Sequence, residues 1–198
     1  MLSKHTKHFH EIDYNKRMKN YSLIILDRDG VINQDSDAYV KSVDEWIPLS
    51  GSLEAIAQLN AAGYKVAVCT NQSGVARSYF DIETLNAMHE KMATLLMQQD
   101  GHVDAIFFCP HGPDDSCDCR KPKPGMYEHA LEHFQITSDD TLVIGDSLRD
   151  IQAAHSIGAD AALVLTGKGE KTLAKAEGLD DVEVFADLAD VVSHLLYE

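Results

Sequence analysis

Positive charge is scarce in this 198-residue chain: 17 Lys and Arg stand against 32 Asp and Glu, a formal net charge of −15 at pH 7. A surface of that sign repels phosphate backbones and anionic headgroups, so neither nucleic acid nor a membrane is the expected partner. Long hydrophobic runs are missing as well. No segment offers the roughly 20 apolar residues of a membrane span, and no signal-peptide pattern opens the chain, so a cytoplasmic protein is expected. Internal repeats and low-complexity tracts are lacking too. Cysteine is limited to four, yet Cys109, Cys117 and Cys119 fall within eleven residues. In a reducing compartment such a cluster points to a metal, whereas a secreted chain would suggest disulfides. What remains, 44% hydrophobic and 25% charged residues, is ordinary for a globular protein of one domain. That domain is expected over residues 21–198, as a monomer, behind a polar, flexible extension over residues 1–20. Met18 is then a plausible internal start, and His5, His8 and His10 are too scattered to form a metal site.

The chain is organised around Ser22-Leu-Ile-Ile-Leu-Asp-Arg-Asp-Gly-Val-Ile-Asn33. Leu23 to Leu26 is an unbroken apolar run, too short for a helix and rich in branched residues, and reads as a buried strand of a parallel sheet. Asp27 and Asp29 follow at once, and Gly30 permits a sharp turn. Groups just past the carboxyl end of such a strand face the ligand crevice of an open α/β sheet. A spacing of two puts both carboxylates on one side while Arg28 points away. One can then serve as nucleophile or metal ligand and the other as general acid/base. An acidic turn after a strand is the plain alternative for this stretch alone.

Further strands are expected at Tyr64–Val68, Val103–Phe108, Thr141–Ile144, Ala161–Leu165 and Val182–Phe185. Helices are expected from Ser50 or Ser52, as cap, to Gly63, from Asp81 to about Gln98, from Gly125 to Phe134, over the segment ending at Ile157, and at the end of the chain. Asp35 to Leu49 is too short for a strand–helix unit and reads as a flap or hairpin. Cys69 and the methionines of the second helix are read as core. The alternation argues for a doubly wound parallel sheet.

Polar groups recur at successive strand ends: Asp27 and Asp29, then Thr70, then Lys121 leading into a helix, then Asp146 and Asp150. Several carboxylates around one point need a cation to stay ionised, and an oxygen-only ligand set suits Mg²⁺. Thr70 and a lysine beside such a centre make a cradle for phosphoryl oxygens. The run Cys109-Pro-His111…Cys117-Asp-Cys119 supplies three thiolates and an imidazole, a complete tetrahedral set for Zn²⁺. With no position left for water, that zinc is expected to be structural, holding Arg120 and Lys121 in place.

This order of motifs resembles the haloacid dehalogenase superfamily of phosphatases over about residues 23–167. The resemblance implies a capless, Rossmann-like α/β fold with Asp27 as nucleophile and Asp29 as general acid/base. Thr70 and Lys121 would bind the phosphoryl group, and Mg²⁺ would be held by Asp27, the backbone carbonyl of Asp29 and Asp146, with Asp150 supporting. Asp27-Arg-Asp-Gly-Val-Ile-Asn, Thr70-Asn-Gln-Ser-Gly-Val-Ala-Arg77 and Cys119-Arg-Lys-Pro-Lys-Pro-Gly125 resemble the histidinol-phosphate and heptose-bisphosphate phosphatase group, whose members carry a zinc-stabilised loop. The Gly-Val-Ala-Arg turn and the Cys-Pro-His…Cys-Asp-Cys-Arg-Lys-Pro run are nearer the heptose branch. That implies hydrolysis of the 7-phosphate of a heptose 1,7-bisphosphate, a precursor for lipopolysaccharide, with Asn71, Arg77 and Arg120 among the substrate contacts. Ser147 departs from relatives that carry a lysine directly after the Gly-Asp. Histidinol phosphate is the rival substrate, and a receiver-like phosphoacceptor module is the rival from another class.

Overall fold

The computed structural model describes residues 20–175 and 178–197, so the expected arm, with its histidines and Met18, lies outside the described residues apart from Asn20. Six strands, β1 (Leu23–Leu26), β2 (Lys65–Asn71), β3 (Ala105–Cys109), β4 (Thr141–Gly145), β5 (Asp160–Val164) and β6 (Glu183–Phe185), form one sheet in the order β3-β2-β1-β4-β5-β6. Every neighbouring pair is parallel. The connecting helices are α1 (Ser52–Ala61), α2 (Ile82–Met97), α3 (Gly125–Phe134), α4 (Leu148–Ile157), α5 (Gly169–Lys175) and α6 (Leu188–Tyr197). Among the described residues no helix is long and apolar enough to cross a membrane.

The unbroken apolar run of β1 has a direct cause: both its faces are covered. Ile24 and Leu26 enter a core shared with α1, α2 and α6, whereas Leu23 and Ile25 enter a second core shared with α3 and α4. All four side chains are fully buried. Burying a residue of this type stabilises the fold by about 1.5–3 kcal/mol, so β1 is the anchor of both layers. Its neighbours β2 and β4 lie on opposite sides, which makes the carboxyl end of β1 the point where the winding of the sheet reverses. A crevice must open there.

Asp81 caps α2, its carboxylate accepting from the Thr84 N–H at 2.8 Å, and the expected end at Gln98 is its C-cap. The start of α1 differs from expectation. Gly51, in the left-handed region at φ 80°, occupies the cap position, and the Ser52 hydroxyl instead donates to the Ile32 and Leu49 carbonyls. The serine was drawn away from the helix end by the segment that follows β1. That segment is zipped closed at its base by Gln34 N–H to Ile47 O and Leu49 N–H to Ile32 O, both 2.9 Å, with Trp46 and Val40 buried beneath it. Helix α5, unassigned from sequence, follows the Thr166-Gly-Lys turn after β5.

Candidate active site and metal centres

The carboxyl ends of β1, β2 and β4, together with the turns after β3 and β5, enclose one cavity of about 280 Å³. Asp27, Asp29, Thr70, Lys121, Asp146 and Asp150 all line it, as do Asn71 and Arg120. Arg77 does not: it is exposed, and its N–H is used in a turn to Ser73 O.

Asp27 Oδ1 accepts from the Arg28 N–H at 2.7 Å and lies 3.1 Å from Lys121 Nζ. No protein donor among the described residues reaches its other oxygen, which is therefore available to a ligand. Lys121 is 2% exposed, and its ammonium meets Asp150 Oδ1 at 2.5 Å, Cys69 O at 2.7 Å and Asp27. Burial would strip its proton, but Asp150 and Asp27 hold its pKa above the ordinary lysine value. Asn71 grips the backbone of Lys121 from both sides, donating to its carbonyl at 3.0 Å and accepting from its N–H at 3.1 Å. The other Asp150 oxygen accepts from Ser147 N–H and Oγ at the start of α4. Asp150 is thus committed to Lys121 and to the helix cap, which suits a supporting part.

Asp146 is seated between two glycines. A Cβ on Gly30 (φ +88°) would come within 2.1 Å of Asp146 Oδ2, and one on Gly167 (φ +56°) within 2.2 Å. Only glycine fits either position. Burial first, then the charges of Asp27 and Asp150, raise the Asp146 pKa to about 8, and burial with Asp150 and Asp29 raises Asp27 to about 6 despite Lys121. The ligand oxygens of Asp27, Asp146 and Asp150 lie within 4.8 Å of one another. Asp27 and Asp146, whose ionised forms are disfavoured by burial and by the carboxylates around them, make a donor pair that a hard cation neutralises, so they fit Mg²⁺ with Asp150 behind them.

Because both raised groups must lose protons to ligate, Mg²⁺ affinity is expected to climb with pH from about 5 to about 9 and to level off above that. Calorimetric titration at pH 6 should give a dissociation constant roughly ten- to a hundredfold weaker than at pH 8.5. Equal affinities would show that the two carboxylates are not the ligands.

Asp29 has the opposite electrostatics. Burial would raise its pKa, but the Arg28 guanidinium and hydrogen bonds from Asn33 and Gln72 hold it below the ordinary carboxylate value. Gln72 Nε2 donates both to Asp29 Oδ2 at 2.9 Å and to Thr70 Oγ1 at 2.8 Å, so the hydroxyl of Thr70, which lines the cavity, keeps its own proton available to donate. From sequence Arg28 is expected to point away from this pair, whereas its guanidinium lies on Asp29, and Asn33, Gln72 and His89 are given no role; the signal for Gln72 was its place two residues after Thr70.

A second donor set closes the loop after β3. Cys109 Sγ lies 3.1 Å from Cys119 Sγ, 3.8 Å from Cys117 Sγ and 3.6 Å from His111 Nδ1, which is itself 3.3 Å from Cys119 Sγ. These separations approach the roughly 3.5–3.8 Å edges of a tetrahedron with metal–sulfur bonds near 2.3 Å, and all four cysteines of the chain are free thiols. The cluster fits Zn²⁺ through Nδ1 of His111. Arg120 follows immediately, its Nη1 donating to His111 O at 3.2 Å, so the metal loop fixes the direction of that guanidinium.

Comparison with known proteins agrees with this geometry. A family model described as HAD-hydrolase-like matches residues 118–191. The D-glycero-beta-D-manno-heptose-1,7-bisphosphate 7-phosphatase of Bordetella bronchiseptica is 56% identical over 176 residues, covering 89% of this chain and 98% of its own. The enzyme of that name from Pseudomonas putida is 53% identical over 175 residues, 88% of this chain and 99% of the relative. The crystal structure of D,D-heptose 1,7-bisphosphate phosphatase from B. bronchiseptica, complexed with magnesium and phosphate, superposes with a TM-score of 0.87 at 56% identity over 88% of this chain and 98% of that one. Sharing more than half of its residues with these relatives along nearly their whole length, the chain belongs to the D-glycero-beta-D-manno-heptose-1,7-bisphosphate 7-phosphatase family of haloacid-dehalogenase-like hydrolases.

Proposed function

We propose that this phosphoric monoester hydrolase removes the 7-phosphate of D-glycero-β-D-manno-heptose 1,7-bisphosphate, in the cytoplasm, with Asp27 as nucleophile and Asp29 as general acid/base. The observation that carries the reading is the pairing at the end of β1. One Asp27 oxygen is free of protein donors beside a protonated Lys121, and the second carboxylate lines the same cavity. The free Asp27 oxygen attacks phosphorus in line, forming a phosphorus–oxygen bond as the bond to the sugar oxygen breaks. Asp29 passes a proton to that departing oxygen. It then takes one from the water that cleaves the aspartyl-phosphate and releases inorganic phosphate. The low pKa of Asp29 suits the second half directly; in the first half, the approach of an anionic phosphoryl group favours the protonated acid.

Lys121 and the hydroxyl of Thr70 stabilise the transferring phosphoryl oxygens. Mg²⁺, held by the Asp27 carboxylate, the Asp29 carbonyl and Asp146, supplies further neutralisation of that charge when bound. The arrangement also disfavours the receiver alternative. A phosphoacceptor module has no use for a second carboxylate lodged beside the acceptor and oriented by a guanidinium and two amides.

The preference for a bisphosphate over histidinol phosphate rests on Arg120. Its guanidinium is aimed into the cavity by the metal loop and has no acidic partner among the described residues, so it is disposed to bind the second phosphate. Such charge-assisted contacts are worth about 1.5–3 kcal/mol, so Arg120→Ala should lower kcat/KM for the bisphosphate by roughly 10- to 150-fold. A small monophosphate assayed on the same variant should be nearly unaffected. Equal losses on both would place Arg120 at the reacting phosphoryl group or in the fold instead. Arg77, exposed at the turn after β2, remains a proposed outer contact of the same kind.

A further inference from the structure

A buried arginine stands behind the acid/base, and its partners point to a task. Arg28 is completely inaccessible, yet its guanidinium meets Asp29 almost edge-on: Nη2 lies 3.0 Å from both Asp29 oxygens and Nε lies 3.3 Å from Oδ1. Neighbours in an extended strand point apart. Here the chain curls at Gly30, with the Arg28 carbonyl accepting from the N–H groups of Ile32 and Asn33, and the curl turns Asp29 back over its neighbour's side chain. On its far side, Nη1 lies 3.3 Å from Nε2 of His89, which is mostly buried on α2 and packs beside Phe108. Burial, reinforced by the Arg28 charge, lowers the His89 pKa to about 4, so the imidazole is neutral and can accept from the guanidinium. A buried ion pair is weak evidence of added stability, because desolvation consumes most of its attraction. What it does supply is direction.

Building on the assignment of Asp29 as acid/base, we infer that Arg28 and His89 are positioning residues that fix the orientation of the Asp29 carboxylate. His89 holds Arg28 from the rigid α2, and Arg28 holds the plane of the carboxylate. Gln72 and Asn33 complete the fork from the opposite edge, at 2.9 and 2.8 Å. The acid must deliver its proton along one line to the leaving oxygen, and small misplacement there is costly. The cost depends on the leaving group. A sugar alkoxide is strongly basic and cannot leave without the proton, whereas p-nitrophenolate can.

The test compares kcat/KM for heptose 1,7-bisphosphate and for p-nitrophenyl phosphate, since kcat/KM reports the step in which the leaving group departs. Asp29→Asn is the reference and should lose roughly 10²–10⁴-fold on the sugar phosphate and far less on the aryl phosphate. His89→Leu removes the acceptor and should show the same selectivity in milder form, about tenfold on the sugar phosphate and less than about twofold on the aryl one. His89→Gln, whose amide oxygen can accept from Nη1, should recover most of the loss. Equal losses on the two substrates, no loss in His89→Leu, or a His89→Gln as impaired as His89→Leu would overturn the inference. Should His89→Leu fail to fold, Arg28→Lys, which keeps the charge and loses the fork, is held to the same comparison. An unselective Asp29→Asn would instead defeat the acid/base assignment itself, an outcome the reference variant makes distinguishable.

Discussion

Asp27→Asn is expected to abolish phosphate release, by at least ~10⁴-fold, while leaving the protein folded. An amide oxygen is a poor nucleophile and, being neutral, binds a hard cation less strongly than the carboxylate it replaces, so the change removes bond formation and weakens metal binding together. The fold should survive because Lys121 keeps Asp150 at 2.5 Å and the Cys69 carbonyl at 2.7 Å. The substitution also removes one of the charges that push Asp146 up to about 8. Melting temperature without Mg²⁺ should therefore be unchanged or slightly raised. Single-turnover phosphate release and a thermal melt on the same preparation check both halves. Turnover within tenfold of wild type would mean that another group attacks phosphorus.

Stripping the second metal should also lower activity, by another route. Elemental analysis of the purified protein should find about one zinc per chain that survives dialysis. The loop from Cys109 to Lys121 draws its order from four donor atoms around one point, and structural zinc is linked to folding by on the order of 10 kcal/mol. In Cys117→Ser or after strong chelation, this loop should lose protection from proteolysis. With it go the direction of Arg120 and the seating of Lys121, so kcat/KM should fall by more than tenfold. Cys109 ends β3 and is buried in the core with Cys69, so the sheet itself should persist. A zinc-free protein in which Cys117→Ser is as stable and active as wild type would dispose of the claim.

The parts legible in the sequence were those in which one local pattern had one physical cause. The apolar run Leu23–Leu26 signalled a strand covered on both faces, and the cap residue Asp81 marked the start of α2. The spacing of Cys109, His111, Cys117 and Cys119 marked the metal loop because four soft donors so close together have few other uses. Even so, the N-terminus of α1 was misread. Ser52 looks like a cap, but tertiary contact with the Ile32 and Leu49 carbonyls outweighed the local preference, and Gly51 took the position.

The orienting shell of the site was invisible for a related reason. Arg28 was expected to point away from Asp29, as it would in a straight strand, and only the curl at Gly30 brings the two together. His89 falls one turn after Leu85 and one before Met92 on the apolar face of α2, so periodicity places it in the core without naming its partner. The family resemblance implies a substrate contact at Asn71. Its two bonds to the Lys121 backbone span fifty residues of sequence and could not be foreseen from either end.

The central claim is that this chain hydrolyses the 7-phosphate of a heptose 1,7-bisphosphate at the β1 carboxylate pair. Phosphorus NMR of D-glycero-β-D-manno-heptose 1,7-bisphosphate with enzyme and Mg²⁺ tests it most directly, because the primary C7 ester and the anomeric C1 ester give separate resonances. The C7 signal should disappear in step with the rise of inorganic phosphate while the C1 signal persists, and Asp27→Asn should leave both intact. Loss of the C1 signal first, or an unchanged spectrum under conditions where histidinol phosphate is consumed, would contradict the account.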